Sequence, residues 1–351
     1  MPALVSNGVK LVGISAAVPH TREDNQHLDS LSEKAKSEII NQVGIRYRYV
    51  SNSTETAADL CQISAEKLLD KLGWKASEIG LMILVTQTPD HIVPGSASQL
   101  QHKLGLPENA ICIDVNQGCA GYVYGMSVLT GLMNAYQIPK TLLLVGDTIT
   151  KIVSPKDNSL WPIFSDAGSA TAFELNSEAA PMHFKLGSKG VDFEAIHVPH
   201  GGFRYPINDA SLKPESISEG VVRQKNHLSM NGQAVFTFGL SKVASSINAL
   251  LDEQKITALE LDYLVLHQAN QLLNNSIVRK TGFEAKQAPS SLYDFGNTSC
   301  ATIPVTLVSQ LSDELNSNSL KLMLTGFGVG LSWGSVILST EKVQCLPMIY
   351  T

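Results

Sequence analysis

The chain predicts an α/β fold made of two copies of one helix–strand unit, and three observations lead there. First, the sequence repeats itself. Leu68-Leu69-Asp70 and the following Ala76, Glu78, Ile79, Met82, Ile83 and Leu84 are matched without a gap by Leu250-Leu251-Asp252, Ala258, Glu260, Leu261, Leu264, Val265 and Leu266, at a constant offset of 182. Cys119-Ala120 meets Cys300-Ala301 at 181, Leu142 to Gly146 meets Leu322 to Gly326 at 180, and Gly168-Ser169 echoes Gly334-Ser335. Drift of one or two residues falls where loops are expected, which tolerate insertion better than the elements they join. Second, helical and extended periodicities alternate within each copy, the pattern of layered α/β domains. Third, 44% hydrophobic and 17% charged residues over 351 positions suffice for large cores and exclude a disordered chain.

The elements follow in order. Thr56 to Leu72 places Ala57, Leu60, Ile63, Ala65, Leu68 and Leu72 at helical spacing, beginning beside the cap-capable Thr54 and ending at Gly73. Leu81 to Val85 and Ile111 to Val115 are short, branched apolar runs suited to strands buried on both faces. Gly118 to Met133 is apolar nearly all round, so its helix belongs in the interior. Thr141 to Val145 and Ala170 to Leu175 add two strands. Residues 1–180 thus form the first half and 229–351 the second. The stretch 181–228, with PHGGFRYP and KPESISEG, reads as an irregular polar excursion that either caps a site or is a solvated connection.

Charge and cysteine usage exclude several functions. A net charge of −6 and scattered basic residues give no field for phosphate backbones or anionic lipid, so neither nucleic acid nor membrane is expected as a partner. The apolar runs fall short of the ~20 residues a bilayer requires, and the N-terminus has no signal-peptide pattern, which points to the cytoplasm. Five cysteines (Cys61, Cys112, Cys119, Cys300 and Cys345) show no paired spacing, so neither a disulfide framework nor a metal site is expected.

Cys119, in DVNQGCAGY, follows a strand and opens the buried helix, where the helix dipole and unpaired N–H groups would lower its pKa. Gly118 and Gly121 leave room for an acyl chain to approach the sulfur. Spacing alone also fits a thiol buried as a small hydrophobe. His267, in LVLHQAN, and Asn297, in DFGNTSC, sit at the ends of other predicted strands, where α/β ligands bind. Neutral histidine and asparagine both donate hydrogen bonds without net charge, which suits polarising a thioester carbonyl or stabilising an enolate. Cys300, the mate of Cys119, reads as packing.

DVNQGCAGYVYGM, HQAN, GNTSCATIP and GFGVGLSWGS resemble the active-site signatures of the β-ketoacyl-acyl-carrier-protein synthase III family of the thiolase superfamily. They occur in family order, and VPHTREDNQHL, VGIRYRYV, FSDAGSATAFEL and HLSMNGQAVF extend the likeness over nearly the whole chain. The resemblance implies a thiolase-like duplicated αβαβα five-layer fold and a homodimer. Its reaction needs no cofactor: the substrates are acyl thioesters of CoA or of an acyl carrier protein. Cys119 would be acylated, and a malonyl thioester would then lose CO2 and attack the acyl-cysteine, with His267 and Asn297 holding the malonyl oxygen. The backbone N–H groups of Cys119 and Val329 would form the oxyanion hole. Phe164 would lie beside the acyl site, and Lys151, Asn270, Arg279 and Lys280 would contact substrate.

Related classes fit less well. No carboxylate stands among the matched residues, unlike the 3-hydroxy-3-methylglutaryl-CoA synthases, and no second catalytic cysteine or histidine, unlike degradative thiolases and chain-elongating synthases. Chalcone-synthase-like enzymes share Cys-His-Asn but lack the HQAN and GNTS wording. Departures fall at donor recognition: Glu38 and Gln42 stand near the family's adenine-binding tryptophan and arginine, Gln271-Leu272 replaces a docking arginine, and Val329 replaces a glycine. These departures point to a specialised member. Acyl transfer from Cys119 to an amine or hydroxyl without decarboxylation is the alternative chemistry, and a silent acyl-binding subunit is a third reading.

Overall fold

A computed structural model describes residues 2–351. Its principal elements are β1 (Leu4–Ser6), β2 (Val9–Val18), α1 (Ala57–Leu72), β3 (Leu81–Val85), β4 (Ile111–Val115), α2 (Gly121–Tyr136), β5 (Lys140–Asp147), β6 (Ala167–Leu175) and β7 (Met182–Ser188). Then follow α3 (Gly232–Phe238), α4 (Ala244–Gln254), β8 (Tyr263–Leu266), α5 (Gln271–Lys280), α6 (Thr302–Gln310), β9 (Leu320–Gly328), β10 (Ser332–Thr340), β11 (Gln344–Cys345) and β12 (Ile349–Tyr350).

The duplication is visible in the strand order. One sheet runs β2-β6-β5-β3-β4, the other β7-β10-β9-β8, and the first four strands of each correspond in order. In both, an antiparallel pair (β5 with β6, β9 with β10) is followed by a parallel neighbour (β3 beside β5, β8 beside β9). The buried helices α2 and α6 lie between the sheets: Tyr122, Val123, Met126 and Leu129 share one apolar cluster with Ile303, Val305 and Leu307. Outer helices α1 and α4 cover the opposite faces, completing the five-layer thiolase-like fold.

The halves are not cleanly separated in sequence. β1 pairs with β7 in the second sheet, whereas β11 and β12 pair with β2 in the first. The stretch 181–228 therefore does not begin as irregular surface: β7 is an internal strand between β1 and β10. Its residues Met182, Phe184 and Leu186 alternate inward while Lys185 lies between them, a short pattern that the adjacent glycines and polar residues obscured in the sequence.

Local chemistry sets the helix bounds. Thr56, not Thr54, caps α1, in a capping box where Asp59 returns a bond to the Thr56 N–H. Gly73, at φ +64, closes it. From Gly232 to Gln254 one helical stretch is long and apolar enough to cross a membrane by length and composition, contrary to the shorter runs read from sequence. Phe238, Val243, Ile247, Leu250 and Leu251 within it pack into the second half's core.

Candidate active site

Cys119 does not occupy the first turn of α2. The turn Gly118–Ala120 precedes it, closed by the Gly121 N–H donating to Gly118 O at 2.6 Å, and the helix proper starts at Gly121. The two neighbouring glycines serve packing: a Cβ on Gly121 would meet Val85 at 2.6 Å, and one on Gly118 would meet Gln87 Oε1 at 2.5 Å. The glycine that faces the sulfur is Gly328, where a Cβ would stand 2.8 Å from Cys119 Sγ.

A cavity of about 430 Å³ opens onto Cys119. Its walls are largely apolar and come from residues 149–164 and 193–236 together with the ends of β3, β8 and β9; His267, Asn297, Phe164, Asn270 and Val329 line it as well. The Val329 N–H and the Cys119 N–H both donate toward the Cys119 sulfur, as does the Ser299 hydroxyl. Burial nevertheless dominates and pushes the thiol up to about 11. This overturns the expectation of a lowered pKa: the fully enclosed sulfur loses more from desolvation than the surrounding dipoles return, and the buried Asp147 carboxylate adds to the rise.

His267 is 2% exposed. Burial lowers its pKa to about 3, so the ring is neutral. Its Nδ1 lies 2.7 Å from Thr302 Oγ1, while the edge of the ring system meets Phe327 at a 5.4 Å centroid separation and 89°. The single Thr302 hydroxyl proton has two acceptors in reach, Nδ1 and Ser299 O at 3.1 Å: given to Nδ1 it leaves Nε2–H as the free donor of the ring, given to Ser299 O it leaves Nδ1–H bonded to Oγ1 and Nε2 as an acceptor. Asn297 is fixed from both ends. Its backbone N–H donates to Ile163 O at 3.0 Å, and its Oδ1 accepts the Ser299 N–H at 3.0 Å, leaving the Nδ2 group for the cavity. Ser299 itself holds φ +54, a left-handed strain in a non-glycine residue beside the nucleophile.

Comparisons with known proteins agree with this geometry. Family models for the 3-oxoacyl-[acyl-carrier-protein (ACP)] synthase III and for its C-terminal region match residues 113–190 and 251–340. A beta-ketoacyl-[acyl-carrier-protein] synthase III of Streptococcus pneumoniae (strain Hungary19A-6) is 31% identical over 332 residues, which is 94% of this chain and 98% of that protein. The chain belongs to the 3-oxoacyl-[acyl-carrier-protein] synthase III family. Among solved structures, a 3-oxoacyl-(acyl-carrier protein) synthase from Burkholderia xenovorans LB400 superposes with TM-score 0.93 at 33% identity, covering 99% of each chain. A second synthase III structure reaches TM-score 0.89 at 34% identity over 94% of this chain and 99% of its own.

Within this synthase III framework the cavity gathers Cys119, His267, Asn297, Phe164, Asn270 and Val329, but not every residue expected at substrate. Asn270 also caps α5, its Oδ1 accepting the Leu273 N–H at 2.8 Å. Lys151 turns away: its Nζ donates to Glu55 O at 2.5 Å and Ser53 O at 3.3 Å, fixing the segment ahead of α1. Arg279 and Lys280 lie at the outer end of α5, where Lys280 Nζ donates to Leu240 O at 2.9 Å and Arg279 reaches Ser276. These three cations are outside the cavity: Arg279 and Lys280 sit in the exposed last turn of α5, and Lys151 is held by the carbonyls of Ser53 and Glu55. The turn carrying Gln42 ends against one of the other departures, since a Cβ on Gly44 would stand 2.7 Å from Gln271 Oε1.

Several residues of the site carried no sequence signal of their own. Ser299 and Thr302 sit inside the GNTSCATIP wording, but that their hydroxyls meet the Cys119 sulfur and the His267 ring is visible only in the fold. Cys300, read as packing, also donates from Sγ to Asp147 Oδ2 at 3.2 Å. Asp147 is fully buried and accepts as well from Gln87 N at 2.7 Å, Thr86 Oγ1 at 3.0 Å and Thr88 Oγ1 at 3.3 Å. Only the pairing of β5 with β3 brings those donors together.

Proposed function

We propose that this synthase III family member loads an acyl group from a thioester onto Cys119 and condenses it, with decarboxylation, with a malonyl thioester carried by acyl carrier protein. In the first step a new S–C bond forms at the acyl carbonyl, the donor thiol leaves, and it takes the Cys119 proton. The observation that carries the reading is the convergence of the Val329 and Cys119 N–H groups on the sulfur, in a cavity also lined by His267 and Asn297. In this reading those two N–H groups hold the tetrahedral oxyanion once the sulfur is acylated, each such donor contributing a rate factor of about 10² to 10³.

In the second step the malonyl C–CO2 bond breaks and CO2 leaves, its electron pair becomes the enolate, and attack of that carbon on the acyl carbonyl forms the carbon–carbon bond and expels Cys119 as thiolate, which takes a proton from water. Nε2–H of His267 and Nδ2–H of Asn297 stabilise the enolate oxygen. Both are neutral, so they contribute most as charge develops. Loading and decarboxylation as written use only the thioester bonds of the two substrates and call on no further cofactor. A histidine with pKa near 3 is a poor general base, which weighs against direct transfer to an amine or hydroxyl.

The proposal includes a homodimer in the cytoplasm. β4 is an edge strand paired only to β3, with Ile111 exposed, and Ile92 and Val93 project from the preceding loop at 73% and 80% exposure. An uncovered apolar edge of this kind favours pairing with a second copy. The test of the chemistry is stepwise. Acyl-CoA or acyl-carrier protein should give an adduct on the wild type by intact mass and none on Cys119→Ala; malonyl-carrier protein should then discharge it as a 3-oxoacyl thioester. Product from Cys119→Ala, or discharge to an amine without malonyl thioester, would sink the reading.

A further inference from the structure

Condensation accounts for the thiol, the two backbone donors, His267 and Asn297, yet two amide side chains beside Cys119 have no part in it. Gln87 follows β3 by two residues and Asn116 follows β4 by one, so both stand at the C-terminal ends of neighbouring parallel strands and both line the cavity. Gln87 is held in place. Its backbone N–H donates to the buried Asp147 carboxylate at 2.7 Å, and its Nε2 donates to Asn116 Oδ1 at 3.2 Å. Its Oε1 lies 2.5 Å from the position of a Cβ on Gly118, the residue before the nucleophile, with Val329 Cβ 3.1 Å from that same point. Among the described residues, neither Gln87 Oε1 nor Asn116 Nδ2 has a hydrogen-bond partner. The amide pair therefore presents a spare acceptor and spare donors on the wall of the cavity that holds Cys119, with Asn116 at its exposed rim, and Ile149, Ile163, Phe164 and Phe327 line the same cavity.

Resting on the proposed acyl-Cys119 chemistry, we infer that the Gln87–Asn116 pair selects the acyl group: a short acyl chain bearing a hydroxyl or keto oxygen within two or three carbons of the thioester carbonyl. A plain alkyl chain would cover the amides without replacing their hydrogen bonds to water, which costs affinity. A hydroxyl answers both the Gln87 oxygen and an amide N–H. An anionic acyl group is disfavoured, because the Asp147 carboxylate lies directly behind Gln87 and already opposes negative charge at Cys119. The selected group is thus polar and neutral.

One competition experiment decides it. Wild-type protein is mixed with equimolar butyryl-, 3-hydroxybutyryl- and succinyl-thioesters, presented in parallel on CoA and on acyl carrier protein, and the adducts on Cys119 are resolved by intact mass and peptide mapping. One net hydrogen bond predicts about a fivefold excess of 3-hydroxybutyryl over butyryl adduct, and the least adduct from succinyl. In Gln87→Leu the hydroxybutyryl-to-butyryl ratio falls to about one or below. The ratio is internal to each sample, so partial misfolding of the variant does not change it. Equal or greater butyryl loading on the wild type, or a ratio unchanged in Gln87→Leu, overturns the inference while leaving acyl-Cys119 intact. No adduct from any thioester overturns the proposed function, and the inference with it.

Discussion

Alkylation of Cys119 across pH separates two ways of running a cysteine nucleophile. In a thiolate–imidazolium pair the sulfur is ionised before substrate arrives, and its reactivity is flat across neutral pH. Here burial pushes the thiol up to about 11 and the nearby His267 down to about 3, so the pair is neutral thiol and neutral imidazole. At pH 7 a thiol of pKa about 11 is ionised in roughly one molecule in ten thousand, against about 3% for an unperturbed cysteine near 8.5, a deficit of about 300-fold. Iodoacetamide is small and uncharged, so its rate follows the thiolate fraction. Pseudo-first-order alkylation, followed by intact mass with Cys119 located by peptide mapping, should rise about tenfold per pH unit from about pH 6 to about pH 9, with no inflection near pH 6.5. Cys119→Ala supplies the background, since Cys112 is only partly buried. A plateau anywhere in that range would refute the reasoning, because it would require a thiolate already formed in the resting enzyme.

Other expectations follow from individual contacts. Asn297→Ala should leave acyl-Cys119 formation near wild type and slow its discharge by malonyl thioester about 10²-fold, measured by single-turnover mass spectrometry. Thr302→Val removes the hydroxyl bonded to His267 Nδ1, so discharge should drop about tenfold while acylation changes little, and His267 should show altered Nδ1 and Nε2 signals by nitrogen NMR. Gly328→Ala puts a methyl 2.8 Å from the sulfur and should lower the acylation rate by at least about tenfold without changing the thermal midpoint of unfolding by more than a few degrees. Asp147→Asn can keep its oxygen toward the donors from Thr86 and Gln87 and so turns its NH2 toward the Cys300 thiol, an expected cost of about 1 kcal/mol, visible as a drop of about two degrees in Tm.

Much of the fold was legible because the two copies carry the same strong periods. The runs 81–85, 111–115 and 263–266 are strands with those bounds, although 111–115, expected to be buried on both faces, is a part-exposed edge strand, and buried helix α2 was evident from Tyr122, Val123, Met126 and Leu129. β7 was not legible. Its seven residues mix Lys185 and Gly187 with apolar positions, and only pairing to β1 and β10 gives them an inside and an outside. The cavity residues Cys119 and His267 stood out by type and by following strands β4 and β8, whereas Asn297, expected at a strand end, instead follows a short helix over Leu292–Phe295. What sequence could not supply was the balance of burial against dipoles, so the direction of the Cys119 shift was misjudged. Lys151 shows the same limit: the basic residue is there, but whether it meets substrate or the carbonyls of Ser53 and Glu55 depends on a loop bend that local pattern does not encode.

The exchange of chain ends between the sheets has a consequence for synthesis. β2 has β6 on one side, and its other side is covered only by β11 and β12, residues 344–350. On a ribosome the first strand of that sheet emerges more than three hundred residues before its last neighbour. At 5–20 residues per second, roughly 20 to 70 s pass with that edge unpaired. Through most of that interval the nascent first half carries an exposed strand edge, the kind of surface that invites pairing with another chain.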